Sequence, residues 1–276
     1  MTDRKLLAFY GLKYNPFLPA VPVEDLWLPP GADAFLFRVE TLVMDGGFAL
    51  LTGDPGMGKS KLLHALAARL GRIEGVAVGV AERPTSSLGD FYRELGQLFG
   101  VPLAPANRYG AFVALRQRWR EHIAQALLRP VLLVDEAQDA HAATLNELRI
   151  LGSEQFDSAH LLTVVLAGDG RLPDRFRTPD LLPLGSRIRT RLVLQPLARD
   201  DLAALLDHLL ARAGNPGLLT PGLKATLVDH SAQNPRVLCT MAAELLEHAL
   251  QRQRSAVDEA LFLEVFDRSP KKRVRA

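Results

Sequence analysis

The sequence contains a single cysteine, Cys239, among its 276 residues. One cysteine excludes an internal disulfide, cannot build a zinc site, and is typical of a protein in a reducing compartment. No apolar run reaches the roughly 18–20 residues that a membrane-spanning helix needs. No apolar signal segment follows the charged residues at the N-terminus. We therefore expect a cytoplasmic protein with no membrane partner.

A strong charge of either sign is also absent. Lys and Arg number 33 and Asp and Glu number 31, which gives a net charge of +2. This balance is too small to identify a nucleic-acid-binding protein by itself. The seven histidines lack the spacing of metal ligands, and no nucleophile–base arrangement stands out. The chain length suits one sizeable domain and a smaller one.

One glycine-rich stretch is present and informative. An apolar segment, residues 48–51, leads into Gly-x-x-x-x-Gly-Lys-Ser, and a helix-forming segment follows. Strand, glycine loop and helix are the context that a P-loop needs, since the loop N–H groups and the helix N-terminus converge on phosphate. Lys59 adds a cation for the β- and γ-phosphates, and the Ser60 hydroxyl can ligate Mg²⁺. The sequence therefore predicts binding of a nucleoside triphosphate. The predicted binding residues are Gly53, Asp54, Pro55, Gly56, Met57, Gly58, Lys59, Ser60 and Lys61.

Alternating apolar and helix-forming segments predict an α/β sandwich over about residues 35–195. Continuous Val and Leu runs favour strands buried on both faces, and hence a mostly parallel, five-stranded sheet between helices. The strands predicted besides the one before the P-loop are residues 76–81, 131–134, 162–166 and 191–194. Besides the helix-forming segment 61–70 after the P-loop, the helices predicted within this region are residues 88–99 and 109–128.

The ends of the chain differ from this pattern. Strand signals stop after residue 196, and four helical segments predict a small all-α domain at residues 197–268. Residues 268–276 contain five basic residues and no acid. This composition fits either a disordered basic tail, which we place at residues 269–276, or a segment that contacts the DNA backbone. Aromatic, Gly and Pro residues at 9–19 indicate an irregular segment, either a structural arm or a wall of the adenine pocket. We expect residues 1–45, including a first helix that closes at residues 40–44, to pack on an ATPase core at 46–196.

Two acids follow the predicted strand 131–134. A carboxylate at the end of a buried strand beside the P-loop strand can hold Mg²⁺, and a second one can deprotonate the attacking water. We assign the first role to Asp135 and the second, the general base, to Glu136. Asp169 follows the strand 162–166 and is either a polar group between these acids and the water or a turn residue between two glycines.

Phosphoryl transfer also requires positive charge on the γ-phosphate. Arg187, Arg189 and Arg191 alternate near the last strand and would point one way in an extended segment, too far apart for all three to reach one phosphate. They are either surface residues or the source of an arginine finger. Arg236 begins a helix of the second domain and either reports the state of the nucleotide or pairs with a nearby acid.

The order of these motifs resembles that of the AAA+ ATPases. Residues 10–17, 165–172 and 186–188 are similar to the ExeA-like group, and the resemblance extends over residues 8–268. That group includes secretion-pathway ATPases and ATP-binding partners of transposases, with TnsC, TniB, IstB and Mu B as relatives. The resemblance implies ATP and Mg²⁺ as cofactors, ATPase activity, Arg187 or Arg189 as the finger, and Arg236 as a sensor on a helical lid. Asp169 departs from the Gln, Thr or Asn that relatives usually carry there.

Within that group, the secretion ATPases continue into a membrane span and a peptidoglycan-binding region, and this sequence contains neither. This favours a transposition regulator, an oligomer (ring, spiral or filament) that coats double-stranded DNA and recruits or activates a transposase, with or without a target-selection protein. The alternatives are a secretion or envelope-assembly motor and a replication or helicase loader. A few cations per subunit suffice for DNA binding when many subunits add together. The matching DNA-backbone residues are Arg83, Thr85, Ser86, Asn107 and Arg108.

Overall fold

A computed structural model describes residues 2–81, 87–102, 107–156 and 158–266. The described residues divide into two compact units. One is Pro30–Gln195, and the other joins residues 2–29 to residues 196–266. Predictions for Arg83, Thr85 and Ser86 and for the basic tail lie outside the described residues.

A parallel, five-stranded sheet organises the unit Pro30–Gln195, as the sequence predicted. The strands in chain order are β1 (Gly47–Gly53), β2 (Val78–Ala81), β3 (Val131–Val134), β4 (Ser153–Glu154), β5 (Ala159–His160), β6 (Thr163–Gly168) and β7 (Ile188–Leu194). The order across the sheet is β2-β3-β6-β1-β7, and β4 pairs with β5 in a separate antiparallel hairpin. Every residue of β1, β3 and β6 is buried, whereas exposed and buried residues mix along the edge strand β7. Continuous apolar runs therefore do mark the interior strands.

Helices cover the two faces of this sheet. The helices of the whole described chain are α1 (Thr2–Tyr10), α2 (Ala32–Asp45), α3 (Lys59–Leu70), α4 (Leu88–Leu98), α5 (Arg108–Ala126), α6 (Ala142–Gly152), α7 (Arg171–Arg175), α8 (Leu182–Gly185), α9 (Arg199–Ala213), α10 (Pro221–His230), α11 (Pro235–Gln251) and α12 (Glu259–Phe266). Side chains of α4, α5 and α6 share one core cluster with alternate residues of β1, such as Phe48 and Leu50. Helices α2 and α3 contact β1 and β6, where the intervening residues Ala49 and Leu51 are buried on the other face.

The second unit is helical and includes the start of the chain. Leu6, Tyr10 and Phe17 are buried in the same cluster as the apolar residues of α9 to α12. The Tyr10 hydroxyl donates a hydrogen bond to the carbonyl of Arg254 at 3.0 Å. The structure thus divides the N-terminal segment differently from our prediction, which placed all of residues 1–45 on the core. Of residues 1–45, only the stretch from Pro30 onward, which includes α2, belongs to the core unit. The buried apolar residues before it pack in the helical unit instead.

The segment that we expected to be irregular, residues 9–19, overlaps α1, because its first two residues lie in the last turn of that helix. Among the described residues, no helix is both long and apolar enough to span a bilayer.

Candidate nucleotide-binding site

The glycine loop between β1 and α3 has backbone conformations that explain its composition. Gly56 and Gly58 have φ angles of +91° and +94°, a region that side chains with a Cβ rarely adopt. A Cβ added to Gly53 would lie 2.9 Å from the carbonyl oxygen of Leu194 on the neighbouring strand. The glycines of the motif are therefore required by conformation at two positions and by close packing at a third.

Lys59 lies inside this loop. Its side chain is buried, at 6% exposure, and Nζ donates to the carbonyl oxygens of Gly53 at 2.8 Å and Asp54 at 3.2 Å. Helix α3 begins at Lys59 without a side-chain cap, and Ser60 is exposed in its first turn. A buried cation beside an uncapped helix N-terminus is the arrangement that binds phosphate.

The acids predicted for this site lie at the same edge of the sheet because its strands are parallel. Strand β6 lies between β1 and β3, and Gly168 at its end pairs with Thr52 near the end of β1. Asp135 directly follows β3, and Asp169 directly follows β6. The structure therefore brings the P-loop and both aspartates to one edge.

Glu136 has a left-handed backbone at the point where β3 turns into the next segment. Its φ is +49° and its ψ is 39°, a conformation that costs a residue other than glycine about 1–3 kcal/mol and that clusters at functional sites. Its backbone N–H donates to Oδ1 of Asp135 at 2.9 Å. Glu136 is exposed, while Asp135 is half-buried. The two carboxylates therefore differ in exposure, and their roles as metal ligand and general base stay predictions.

Gln138 is a site residue that the sequence reasoning missed. Its side-chain amide is buried and donates from Nε2 to Oε2 of Glu136 at 2.7 Å. Its Oε1 accepts a hydrogen bond from the backbone N–H of Asp169 at 3.2 Å. The only sign of this role in the sequence is the position of Gln138 two residues after Glu136. Its bond to Asp169 could not be predicted, because it depends on β3 and β6 being neighbours in the sheet.

Asp169 makes the contacts of a turn residue. Its carboxylate accepts from the backbone N–H of Arg171 at 2.9 Å and from Nε of the same residue at 2.9 and 3.1 Å. These hydrogen bonds from Arg171 lower the pKa of the Asp169 carboxyl, and Lys59 adds a smaller Coulombic contribution in the same direction. Arg171 also reaches Oδ1 of Asp139 at 3.2 Å. Of the two alternatives for Asp169, the turn is observed, and contact with a water at the nucleotide stays a prediction.

The three arginines near β7 lie in two different settings. Arg187 precedes the strand in a turn, where its backbone N–H donates to the carbonyl of Leu184 at 3.0 Å. Arg189 and Arg191 belong to β7 and are exposed. The prediction that all three share one extended segment is therefore wrong for Arg187, because the strand begins at Ile188.

Arg187 and Arg189 lie at the edge of the sheet where its parallel strands begin, whereas the P-loop lies at the opposite edge, where the strands end. Ile188 pairs with Phe48 near the start of β1, whereas the P-loop begins at the last residue of β1. Strand β1 is seven residues long. At roughly 3.3 Å per residue, it separates the two edges by about 20 Å. An arginine at one edge is therefore out of reach of a phosphate at the other edge of the same sheet.

Arg236 belongs to the helical unit, where it occupies the first turn of α11. Its backbone N–H donates to Oδ1 of Asn234, the N-cap of that helix, at 2.9 Å. Its side chain is exposed. The structure thus gives Arg236 a defined backbone position, and its role toward the nucleotide stays a prediction.

The described members of the predicted DNA-binding set, Asn107 and Arg108, begin α5. The Asn107 side chain caps the helix by accepting from the backbone N–H of Gly110 at 2.7 Å. Arg108 pairs with the buried carboxylate of Glu147, which also accepts from the Tyr92 hydroxyl. Both residues therefore have internal contacts, although the Arg108 side chain stays 62% exposed.

Asp135 and Ser60 have donor atoms suited to Mg²⁺. A carboxylate and a hydroxyl are the hard oxygen ligands that this ion prefers. Among the described residues, no group of three or more His, Cys, Asp and Glu could hold a metal alone. An ion at this edge would therefore take its remaining ligands from phosphate and water, as Mg²⁺ commonly does.

Comparison with known proteins agrees with this architecture. Residues 43–176 match the family described as AAA domain. General secretion pathway protein A of Aeromonas hydrophila is 30% identical to this chain over 250 residues, which are 88% of this chain and 45% of that protein. This chain therefore spans less than half the length of that relative.

Solved structures with the same fold include two Aeropyrum pernix proteins. The ORC2 protein, in ADPNP–ADP complexes, has a TM-score of 0.73 and 15% identity, covering 91% of this chain and 70% of that chain. The ORC1 protein in complex with DNA has a TM-score of 0.61 and 17% identity, covering 90% of this chain and 67% of that chain. At these identities, the likeness shows the fold alone.

Proposed function

We propose that this chain, an AAA+ ATPase of the ExeA-like kind, works as an ATP-dependent oligomer on double-stranded DNA. The finer proposal is a transposition regulator, which captures target DNA and recruits or activates a transposase. The observation that carries the oligomer is the position of Arg187 and Arg189 at the edge opposite the P-loop.

This position supports a finger that acts between subunits. Phosphoryl transfer needs cationic stabilisation of the γ-phosphate, and an arginine finger supplies it where one is present. Arg187 and Arg189 are too far from the P-loop of their own sheet, so they can serve only a neighbouring copy. ATP would then stabilise the contact between two subunits, and its hydrolysis would weaken that contact, which links assembly to the nucleotide state.

The residues of one subunit divide the work of hydrolysis. Backbone N–H groups of the P-loop and Lys59 bind the phosphates, while Asp135 and Ser60 would hold Mg²⁺, which neutralises charge developing on the phosphate oxygens. Glu136 orients a water and accepts its proton as the water oxygen bonds to the γ-phosphorus. The bond from that phosphorus to the bridging oxygen breaks, leaving ADP and phosphate.

The DNA-binding part of the proposal has a different support. ORC1 of Aeropyrum pernix, which shares this fold, was solved in complex with DNA. In this chain, the Arg108 side chain at the start of α5 is 62% exposed although it pairs with Glu147, and this position suits a phosphate contact without base specificity. The net charge of +2 is compatible with this, because contacts from many subunits add together.

The test measures DNA binding with ATP and with a slowly hydrolysed analogue at increasing salt. We expect binding that requires nucleotide and falls steeply with salt, as phosphate contacts do. Lys59→Ala should abolish nucleotide binding and assembly on DNA. Glu136→Gln should bind ATP normally and form long-lived assemblies, because the nucleotide that joins the subunits persists.

Matched controls are Lys224→Ala in α10 and Glu121→Gln in α5, which change the same residue types away from the site and should behave as wild type. Rapid disassembly of Glu136→Gln would contradict the assignment of the general base. Nucleotide-dependent assembly without any DNA binding would contradict the DNA proposal and leave the oligomer.

A second candidate is a secretion or envelope-assembly motor that acts on protein. The similarity to general secretion pathway protein A, which extends over 88% of this chain, favours it. The two candidates share the chemistry at the P-loop and differ in the substrate. The DNA-binding measurement separates them, since a motor acting on protein should show no nucleotide-dependent, salt-sensitive affinity for duplex DNA.

A further inference from the structure

Gln138 links the acidic loop after β3 to the end of β6 through one buried amide. The residue is 6% exposed. Its Nε2 donates to Oε2 of Glu136 at 2.7 Å and to Oδ2 of Asp139 at 3.2 Å. Its Oε1 accepts from the backbone N–H of Asp169 at 3.2 Å. Both ends of the amide are therefore used.

The orientation of this amide follows from the chemistry of its partners. The backbone N–H of Asp169 can only donate, so it must meet the amide oxygen. Ionised carboxylates can only accept, so Glu136 and Asp139 must meet the amide nitrogen. A flipped amide would lose all three hydrogen bonds at once. The donor that faces Glu136 is therefore fixed by a contact made on the opposite side of Gln138.

Close packing also holds the Gln138 side chain in place. A Cβ added to Gly168 would lie 2.5 Å from Oε1 of Gln138, so the amide lies against bare backbone at the end of β6. Arg175 donates to the main-chain carbonyl of Gln138 and, at 2.8 Å, to that of Ala140. The side chain and the backbone of Gln138 are thus each held by their own contacts. Gln138 is therefore suited to act as a rigid support for a neighbouring residue.

We infer that Gln138 is a positioning residue for Glu136 in ATP hydrolysis. Glu136 is exposed and has a strained backbone, and the amide restrains one of its carboxylate oxygens, Oε2. The restraint leaves Oε1 to meet the attacking water in a defined direction. Hydrolysis depends steeply on such alignment, since a misplacement of about 1 Å can cost roughly 100-fold in rate. This inference rests on the proposed role of Glu136 as general base.

The test compares ATP turnover and nucleotide affinity in Gln138→Ala and Gln138→Met. Both remove the donor, and methionine keeps most of the side-chain volume, so it serves if the alanine variant does not fold. We expect kcat to fall by about 10- to 100-fold, with the KM for ATP and the nucleotide Kd within about twofold of wild type. Gln117→Ala is the matched control, because Gln117 makes the same kind of bond, to Glu121 at 2.9 Å, on the exposed surface of α5.

A double-mutant cycle distinguishes positioning from a structural role. If Gln138 acts through Glu136, adding Gln138→Met to Glu136→Gln should change the residual single-turnover rate by less than about twofold. A full 10-fold further loss in that background, or an unchanged kcat in Gln138→Met, would overturn the inference. A Glu136→Gln variant that still turns over ATP at the wild-type rate would instead overturn the role of Glu136.

Discussion

At the residue scale, Asp169 shows how one contact sets a pH dependence. Its carboxylate is held by Arg171, and this contact lowers the carboxyl pKa below its ordinary value. A carboxyl with a depressed pKa in the folded state stabilises the fold above its unfolded pKa, and that stabilisation is lost as the pH falls through the folded pKa. The pair of Asp169 and Arg171 therefore contributes to folding stability at neutral pH, and this contribution is lost in acid.

We expect Arg171→Ala to be less stable than wild type near pH 7, and the difference to narrow at pH 3, because pH 3 is below the ordinary aspartate pKa of about 3.9, where the contribution starts to be lost. Urea unfolding at both pH values measures the difference. Arg177→Ala is the control, because Arg177 pairs with Asp174, three residues earlier, and both side chains are exposed. A stability difference that is the same at both pH values would show that Arg171 acts by something other than its charge.

The site residues that could be predicted are those whose chemistry follows from local order. The P-loop spacing placed Lys59 and Ser60, and acids that directly follow buried strands placed Asp135 and Asp169 at one edge. Gln138 and Arg171 could not be predicted in this way. Their contacts depend on which strands are neighbours in the sheet, and a buried amide or an exposed arginine has no distinctive spacing in the sequence.

At the scale of elements, the end of α6 depends on a side chain from α5. Arg116 is nearly buried, at 12% exposure, and donates from Nη1 to the carbonyl oxygens of Ile150 at 3.1 Å and Leu151 at 2.9 Å and to that of Ser153. The last carbonyls of a helix have no partner within it. Arg116 therefore satisfies the end of α6 and fixes the start of the hairpin at β4.

We expect Arg116→Ala to lower the free energy of unfolding by about 1.5–3 kcal/mol, the range for hydrogen bonds to a charged group. Chemical denaturation gives the value. Arg93→Ala, which breaks an exposed i,i+3 pair with Asp90, should cost less than about 1 kcal/mol. Equal losses in the two variants would mean that α6 does not need this cap.

Elements were predictable where burial alone decides them. The bounds of β3 agree with the sequence prediction, because an apolar run of four residues needs no tertiary information. Strand β2 begins at Val78 instead of residue 76, since pairing with β3 starts there. We did not predict α1, α6 or the hairpin of β4 and β5. Their apolar residues acquire a clear pattern only once the surfaces that they cover are known.

At the scale of the whole molecule, two hydrophobic clusters give the two units separate cores. Leu6 belongs to the helical unit, with 2% exposure. The same unit includes Leu263, which is 58% exposed. Helix α1 therefore supports α9 to α12, although it precedes the P-loop unit in the chain.

We expect Leu6→Ala to destabilise the helical unit by about 2–5 kcal/mol, as for other buried leucines, while Leu263→Ala changes little. Amide hydrogen exchange measures both units in one experiment. Protection should fall in α10 and α11 and stay constant in β1 and β3. Loss of protection in β1 with α11 unchanged would contradict the placement of α1.

The parallel sheet has one further consequence for the proposed assembly. When the arginine edge of each copy meets the P-loop edge of the next copy head to tail, the contact is heterologous, so each copy offers two unlike surfaces and the series of contacts has a direction. In an open assembly, the copy at one terminus keeps an incomplete site, so the two ends should differ in how fast they lose subunits.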